Sequence, residues 1–524
     1  MSSPAGKRTE EKAHIRNGVM RLSFAALAVL LDIGLIILLL TTLNKAAEWI
    51  NIITRIVTVI VVITIFNKNR PSAIKTGWII LIMVSPILGV TMYALIDLSV
   101  TTKAMRRRFA EMDKRLYECQ PDTSAELASL YETDPVAAGI CRYLKTSAGY
   151  PLYRSTDVRY FDSAAKGLEA QLADMARAQH FIFLEYHAIE EKESWNRILS
   201  VLKERSDSGV EVRIIYDDVG SIGFIDTDFV RRMQALGLKC RVFNPVLPAL
   251  RPFLNNRDHR KITVIDGRIG FTGGYNLANE YFNITHPYGL WKDTGIRLQG
   301  EAVRSLTSIF LEMWNAVSRK GEDDADLKPF FPKDPIPPFI DSTGYCQPYA
   351  DSPLDDERVG ENVYISMVEK AEHYCYFMTP YLIPSDDLQR ALSLAAKRGV
   401  DVRIITPGIP DKKAVYTLTR SYYHDLTVDG VRIFEWAPGF CHAKMCVVDD
   451  HMATCGTINL DFRSLYHHFE NGCLIVGDPV ILTIKNDFDR TFTECHEVTA
   501  EYKAGRGKYI KFSHLLVRLM APLL

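Results

Sequence analysis

Two octapeptides in this sequence place a histidine, a lysine and an aspartate at the same spacing. They are HRKITVID, His259 to Asp266, and HAKMCVVD, His442 to Asp449. A neutral imidazole can attack a phosphorus atom, a protonated one can donate to a leaving group, and an ammonium group stabilises phosphate oxygens. The repeat therefore indicates phosphate-ester chemistry that needs two copies of each group.

The spacing within each octapeptide separates two roles. Side chains alternate along a strand, so His259 and Lys261 share one face and Asp266 falls on the other, and the second motif has the same parity. We expect the histidines and lysines to point into a site, and each aspartate to serve the scaffold through a hydrogen bond at the strand end. The candidate catalytic motifs comprise His259, Lys261, Asp266, His442, Lys444 and Asp449.

Matched elements follow each motif at similar distances. A glycine turn leads to an asparagine in GGYN and GTIN, which place Asn276 and Asn459 as amide donors to a phosphate. Farther on, KDTGIRLQG and ENGCLIVG each begin near a carboxylate. We expect Asp293 and Glu470 to hold the far nitrogen of each imidazole, because an acid fixes the tautomer and favours the cation.

This set of groups predicts a metal-independent displacement. The groups are mostly basic, so the lysines can take the electrostatic role that two cations have in metal-dependent phosphodiesterases, and no metal or cofactor is expected. One histidine attacks and forms a phosphohistidine, while the other donates a proton to the departing alkoxide. The residues alone leave open which histidine attacks first.

The elements that position these groups also occur twice. GVEVRII at 209–215 and GVDVRII at 399–405 each predict a buried strand after an amphipathic helix, and HFIFLEY and HYCYFMTPY predict matching strands upstream. Each copy therefore indicates a β-α-β unit with parallel strands. The proline-rich stretch KPFFPKDPIPP, 328–338, predicts a linker, with a domain boundary near residue 335.

The first hundred residues differ in character. The apolar run from Leu22 to Leu43 would span about 33 Å as a helix, enough for a bilayer core, and a second run from Ile52 to Phe66 follows closely. A third run, Trp78 to Ile96, contains Pro86 and Gly89, which could kink a spanning helix or break it into a re-entrant one. We predict helices at about 22–43, 49–66 and 77–96.

Charges near these runs predict the topology. Basic clusters precede the first run and follow the second and third, and such clusters favour the cytoplasm. A hairpin with a re-entrant third segment keeps all three clusters there, so we expect a multi-pass protein of the cell membrane with cytoplasmic catalytic domains. Residues 1–100 then form the membrane region, 101–130 a connecting helix, 131–334 and 335–500 the two lobes, and 501–524 an amphipathic tail.

Composition limits the partners. The chain has 62 basic and 63 acidic residues, so no overall field favours nucleic acid. Its ten cysteines form no C-x-x-C pair and no short secreted framework, which suits reduced thiols facing the cytosol.

Taken together, these residues resemble the phospholipase D superfamily, whose H-x-K-x-x-x-x-D motif is seen in HRKITVID and HAKMCVVD. The resemblance covers roughly residues 131–500. The apolar hairpin, the segment RPSAIKTGWIILIMVSPILG and the stretches FLEYHAI and PYLIPSDDL are similar to bacterial cardiolipin synthases. The fold implied is α/β, with two duplicated lobes, each a mixed sheet flanked by helices, behind an N-terminal transmembrane region.

The resemblance also implies an activity, the transfer of a phosphatidyl group from one phosphatidylglycerol to another with release of glycerol. The expected partners are phosphatidylglycerol, cardiolipin and the bilayer, without nucleic acid. By the family pattern His259 is the nucleophile and His442 the general acid and then base. One departure is that the residue after the turn glycine, often serine in the superfamily, is Gly274 or Thr457 here.

Two alternatives remain open from the sequence. A hydrolytic phospholipase D would use the same motifs and differ only in admitting water to the phosphohistidine. A protein of another class, a catalytically inactive membrane-tethered lipid-binding scaffold, would keep the fold without the reaction. Intact copies of all four duplicated residue types argue against the second alternative.

Overall fold

The computed structural model describes residues 48–97, 100–154, 156–245, 256–318, 322–333, 344–355 and 357–506, together with Leu30, Gly34 and Arg518. The helices are α1 (Glu48–Asn67), α2 (Ser72–Val84), α3 (Pro86–Asp97), α4 (Val100–Tyr117), α5 (Ser124–Thr133), α6 (Pro135–Thr146), α7 (Ala164–Met175), α8 (Glu193–Asp207), α9 (Phe229–Ala235), α10 (Val303–Ala316), α11 (Val359–Lys370), α12 (Asp386–Lys397), α13 (Lys413–Val428), α14 (Phe462–Tyr466), α15 (Val480–Thr493) and α16 (Thr499–Lys503). Short 3-10 helices cover Asn279–Phe282 and Lys328–Phe330.

The strands divide between two lobes. Those of the first lobe are β2 (Asp157–Phe161), β3 (Phe181–Tyr186), β4 (Glu211–Asp217), β5 (Lys239–Phe243), β6 (Arg257–Asp258), β7 (Lys261–Ile265), β8 (Ile269–Gly273), β9 (Leu290–Lys292) and β10 (Gly295–Gln299). The others are β1 (Tyr153–Arg154), β11 (Tyr345–Asp351), β12 (Tyr374–Met378), β13 (Leu382–Ile383), β14 (Asp401–Pro407), β15 (Arg432–Trp436), β16 (Gly439–Cys441), β17 (Met445–Val448), β18 (Met452–Gly456), β19 (Leu460–Asp461), β20 (His468–Val476) and β21 (Cys495–Glu497).

Each lobe is built on a mixed sheet. The first has the order β2-β10-β8-β7-β3-β4-β5, and the second has β1-β11-β20-β18-β17-β12-β14-β15-β21. Strands β3 and β4 pair in parallel around α8, and β12 and β14 do so around α12. Both β-α-β units predicted from the duplicated heptapeptides are therefore confirmed, and the remaining main pairings within each sheet are antiparallel apart from β4–β5 and β14–β15.

The two sheets share a core. Helix α10 has thirteen buried residues and packs against β7 of the first sheet and β11 of the second. Apolar side chains of both sheets, among them Val264 and Val447, belong to the same buried cluster. Removing this much apolar surface from water fixes how the lobes face each other, and hence the geometry of anything built where they meet.

The N-terminal helices pack on the second lobe. Ile65, Trp78 and Ile82 join a buried cluster with Leu418 and Phe462 of that lobe. Over the described ranges of the chain, no helix combines the length and apolar content needed to cross a bilayer.

The third apolar run is broken, one of the two outcomes predicted from its proline. Helix α2 ends at Val84 and α3 begins at Pro86, which has no N–H to continue the helical ladder. At Gly89 an added Cβ would lie 2.6 Å from the Ile82 Cα, so only glycine permits this close approach of α2 and α3. The connecting segment 101–130 contains two helices, α4 and α5, because Pro121 lies in the turn between them.

Several predictions concern residues outside those described. They are the apolar run 22–43, of which only Leu30 and Gly34 are described, the domain boundary near residue 335, and the tail 507–524 apart from Arg518.

Candidate active site

Each histidine of the repeated motif follows a short strand that pairs with the opposite lobe. Strand β6, just before His259, pairs in parallel with the start of β20, and the His259 N–H donates to the Phe469 carbonyl at 2.9 Å. Strand β16, just before His442, pairs in parallel with β9, and the His442 N–H donates to the Lys292 carbonyl at 2.8 Å. The two motifs are thus brought together by a reciprocal exchange of backbone hydrogen bonds.

The hydrogen bonds between histidine and carboxylate also run from one lobe to the other. His259 Nδ1 lies 2.9 Å from both oxygens of Glu470, and His442 Nδ1 lies 2.6 Å from Asp293 Oδ2. Each acid therefore holds the histidine of the other lobe, and an ionised carboxylate there fixes the Nδ1–H tautomer and leaves Nε2 for chemistry. The sequence identified these acids but did not predict that the pairs cross.

The motif lysines are buried beside the histidines. The Lys261 ammonium donates to the His259 carbonyl at 2.5 Å, and Lys444 donates to the His442 carbonyl. Burial, with the charge of Lys444 adding to it, lowers the pKa of Lys261 to about 7, although Glu470 opposes the shift. Burial likewise lowers the pKa of Lys444 to about 8. Two ammonium groups in one buried pocket create a strong demand for an anion.

The same buried, positively charged surroundings shift the pKa values of the two motif histidines. Burial and the neighbouring lysine charges lower the pKa of His259 well below its usual value, and burial with Lys444 lowers the pKa of His442 to about 3 despite Asp293. Burial raises the pKa of Asp293, but the hydrogen bonds from His442 and the Thr294 N–H, together with the charge of Lys444, outweigh burial, so that this pKa is lowered. At neutral pH the pocket without an anion therefore holds neutral imidazoles beside an ionised Asp293.

The two asparagines are buried at the pocket and already make contacts. Asn276 accepts a hydrogen bond from the Ala188 N–H at 3.2 Å and donates to the Tyr281 hydroxyl at 2.8 Å. Asn459 donates to Asp461 Oδ2 at 3.2 Å. An amide NH2 has two N–H groups, so each side chain retains a second donor.

The motif aspartates lie at the ends of their strands, away from the histidines. Asp266 accepts hydrogen bonds from the backbone N–H groups of Gln179, His180 and Phe181 at 2.7 to 2.9 Å. Asp449 accepts three equivalent bonds from 372–374. Both have positive φ, +53° and +50°, which aspartate tolerates better than most residues. Each carboxylate thus fixes the start of the neighbouring antiparallel strand, β3 or β12, as the alternation of side chains predicted.

The two histidines have different neighbours, which the sequence reasoning missed. The His259 ring has two further histidines beside it, His187 with ring centroids 5.0 Å apart and His468 at 5.5 Å. The His442 ring is enclosed by aromatic rings at 5.3 to 5.7 Å, from Tyr281, Trp291 and Phe440. One signal was available, because His468 and Trp291 each precede the orienting acid by two positions.

The residue after the turn glycine is Gly274 in the first lobe and Thr457 in the second, and local contacts explain the difference. A Cβ on Gly274 would lie 2.1 Å from Asp293 Oδ1, so glycine is needed for that acid to reach His442. The equivalent Thr457 donates its hydroxyl to Glu470. The hydroxyl that is missing in the first lobe is replaced by a backbone donor, since the Thr294 N–H donates to Asp293 at 2.9 Å.

Comparison with known proteins agrees with this construction. The model of the family described as "Cardiolipin synthase, PLD-like domain" matches residues 172–314 and 364–492, and "Phospholipase_D-nuclease N-terminal" matches 56–96. A cardiolipin synthase of Geobacillus kaustophilus is 30% identical over 89% of this chain and 92% of its own length. Cardiolipin synthase 1 of Staphylococcus aureus is 31% identical over 88% of this chain and 94% of its own.

The likeness extends to a solved structure, that of the phosphatidylserine synthase of Haemophilus influenzae. It covers 74% of this chain and 98% of that one with a TM-score of 0.56, and at 14% identity it supports the fold alone. The duplicated lobes, the crossed histidine pairs and the matches over most of the chain lead to one conclusion. The chain belongs to the cardiolipin synthase family of phospholipase D-like phosphatidyltransferases.

Proposed function

We propose that this protein is a cardiolipin synthase that moves a phosphatidyl group from one phosphatidylglycerol to another through a phosphohistidine on His259. The observation that carries the proposal is the crossed pair of hydrogen bonds, His259 to Glu470 and His442 to Asp293. These bonds hold two imidazoles of different lobes at one buried pocket, each with Nε2 left for the reaction. A phosphodiester is an anion of the right charge for the two ammonium groups there.

The proposal that His259 attacks and His442 donates the proton rests on the other hydrogen bonds that each orienting acid accepts. Asp293 accepts a hydrogen bond from His442 at 2.6 Å and one other hydrogen bond, from a backbone N–H. Glu470 is shared between His259 and the Thr457 hydroxyl, so less of its charge is available to an imidazolium at His259. His259 is therefore better suited to remain neutral and attack, and His442 to carry the proton.

In the first half-reaction the substrate brings a negative charge into the pocket. The phosphodiester anion, held by Lys261, Lys444 and the second N–H groups of the asparagines, favours the protonated form of His442. The His259 Nε2 lone pair then forms a bond to phosphorus as the bond to the glycerol oxygen breaks. The departing alkoxide takes the proton from His442 and leaves as glycerol.

The second half-reaction reverses these roles. A hydroxyl of a second phosphatidylglycerol gives its proton to His442, its oxygen bonds to phosphorus, and the P–N bond to His259 breaks. Cardiolipin leaves and both histidines return to their starting state. Water at the same position would give phosphatidic acid, so exclusion of water distinguishes the synthase from a hydrolytic phospholipase D.

A membrane location is part of the proposal. Seven apolar side chains on one helix, α1, are more than half exposed, at 51 to 70%; they are Ile52, Ile53, Ile56, Val59, Ile60, Ile63 and Phe66. An apolar surface of this extent is costly in water and suits contact with a bilayer. We propose that the N-terminal region attaches the catalytic lobes to the cytoplasmic face of the cell membrane.

Lipid analysis tests the activity. Full-length protein in detergent is mixed with phosphatidylglycerol vesicles, and the products are separated. Cardiolipin with an equal amount of glycerol is expected. Phosphatidic acid in place of cardiolipin would establish the hydrolase. Unchanged lipid with a correctly folded chain would support the alternative of an inactive lipid-binding scaffold.

A second experiment tests the order of the histidines. His259→Ala and His442→Ala should each reduce transfer from phosphatidylglycerol by about 10⁴-fold or more. A phosphatidyl ester of nitrophenol has a leaving group that needs no proton. Release of nitrophenol should recover in His442→Ala, with an acid-labile phosphatidyl group left on the chain, and should stay absent in His259→Ala. The opposite pattern would reverse the assignment.

A further inference from the structure

A third histidine, His468, lies beside the proposed nucleophile. Its side chain is 10% exposed, and neither of its ring nitrogens has a hydrogen-bond partner within the described part of the chain. The nearby acceptor Glu470 Oε1 is 3.6 Å from Nδ1, which is too far for a hydrogen bond. A buried, unsatisfied imidazole costs free energy unless something binds it.

The position of His468 suits a metal ion. One donor atom from each of His259, His468 and Glu470 lies within 4.8 Å of the other two. The closest pairs are separated by 2.9 Å and 3.6 Å. Bonds of about 2.1 Å around a tetrahedral zinc ion place donor atoms about 3.4 Å apart, and two histidines with a glutamate are a common zinc set with one open position.

Among the described residues, the second lobe offers no such set around its own motif histidine. Trp291 stands two residues before Asp293, where His468 stands two residues before Glu470, and an indole cannot ligate a metal. Trp291 instead packs against the His442 ring at 5.4 Å. The two halves of the site thus differ at the one position that completes a metal-binding triad.

We propose that His259, His468 and Glu470 form a site for a borderline divalent transition ion such as Zn²⁺, and that its occupation reversibly inhibits the enzyme. The ion would bind His259 Nδ1 in place of the hydrogen bond to Glu470. The Nδ1 proton then moves to Nε2, so the atom that should attack phosphorus has no lone pair to offer. The inhibitory consequence rests on the proposed function, whereas metal binding does not.

Metal binding is measured on the full-length protein in detergent after chelation and desalting. Titration with Zn²⁺ by calorimetry should give one tight site per chain, and Co²⁺ should give a visible spectrum of four-coordinate type. His468→Asn should weaken both by at least about 10-fold. His467→Asn, a change at the adjacent histidine, is the matched control and should bind as the unchanged protein does.

X-ray absorption on the zinc-loaded unchanged protein gives a test that does not depend on any variant folding. The ion should have nitrogen and oxygen ligands, including two imidazoles. A sulfur ligand from one of the ten cysteines, no bound ion, or equal affinity in His468→Asn would overturn the site.

The same preparations then report on inhibition. Zn²⁺ should inhibit lipid transfer by the unchanged protein, and His468→Asn should retain transfer without metal and need at least about 10-fold more Zn²⁺ for the same inhibition. Tight zinc binding without any effect on transfer would overturn the inhibitory role. A chain that binds zinc through His468 but makes no cardiolipin in metal-free buffer would instead refute the proposed function.

Discussion

The two lobes supply the same types of candidate catalytic group in different surroundings. His259 lies among other titratable rings, His187 and His468, while His442 is enclosed by aromatic side chains. Their acids differ as well, since Glu470 is shared with a threonine hydroxyl and Asp293 is held by a backbone N–H. The duplicated lobes thus have the same motif residues but differ in the groups around them.

This difference teaches how a nearly symmetric site can assign unequal roles. Two equivalent imidazoles would be equally able to attack phosphorus and to protonate the leaving group. The hydrogen bonds that each acid accepts bias the protonation state of its imidazole, and we propose that this difference between Asp293 and Glu470 separates nucleophile from acid.

Removing the acids should have the largest effect on the difference between the lobes. Asp293→Asn and Glu470→Gln should each reduce kcat for transfer by about 10²- to 10⁴-fold, because the imidazole loses its fixed tautomer and orientation. Asp293→Asn should be the more damaging with phosphatidylglycerol, and the activated nitrophenol ester should narrow the gap. Equal losses with both substrates would contradict the unequal roles.

Substitutions at the two turn residues should show a second functional difference between the lobes. Gly274→Ala puts a methyl group against Asp293 and should displace it from His442, with a loss of about 10²-fold in kcat. Thr457→Gly removes one hydrogen bond to Glu470 and should cost about tenfold or less. The measurement is steady-state transfer on matched vesicles, and a larger loss in Thr457→Gly would mean that the carboxylates are held differently.

The lysines predict how transfer depends on pH. The lowered pKa of Lys444, about 8, means that the free enzyme loses this proton as pH rises through 8, earlier than an ordinary lysine would. The alkaline limb of kcat/KM should therefore fall about tenfold per pH unit for each lysine that must be charged. Lys444→Arg keeps its charge, so it should lower the rate and reduce the steepness of that limb by one proton.

The motif aspartates should show where the lobes are alike. Asp266→Ala and Asp449→Ala each remove an acceptor for three backbone N–H groups, and should destabilise the chain by about 2 kcal/mol. Asp266→Asn keeps an acceptor oxygen and tolerance of positive φ, so it should lose less. Thermal unfolding checks the order. A large loss of kcat in Asp266→Ala with unchanged stability would indicate a direct part in the reaction.

The sequence was sufficient wherever a local pattern fixed the outcome. The duplicated heptapeptides predicted both β-α-β units, and alternation along the motif predicted that Asp266 and Asp449 would serve the strand ends. The break at Pro86 was one of two outcomes that the sequence left open, the other being a kinked helix, because proline has no N–H to donate. The catalytic roles of the motif residues and the placement of the membrane region stay predictions that the proposed experiments test.

Contacts between residues far apart in the chain were beyond the sequence. Repetition named Asp293 and Glu470 as acids, yet each acid serves the histidine of the opposite lobe. That choice is made by the pairing of β6 with β20 and of β9 with β16, which depends on how two sheets bury their shared core around α10. Residue types and spacing therefore determined which groups are candidates for the reaction, while packing between the lobes decided which groups meet, because burial of apolar surface is non-directional and depends on the whole fold.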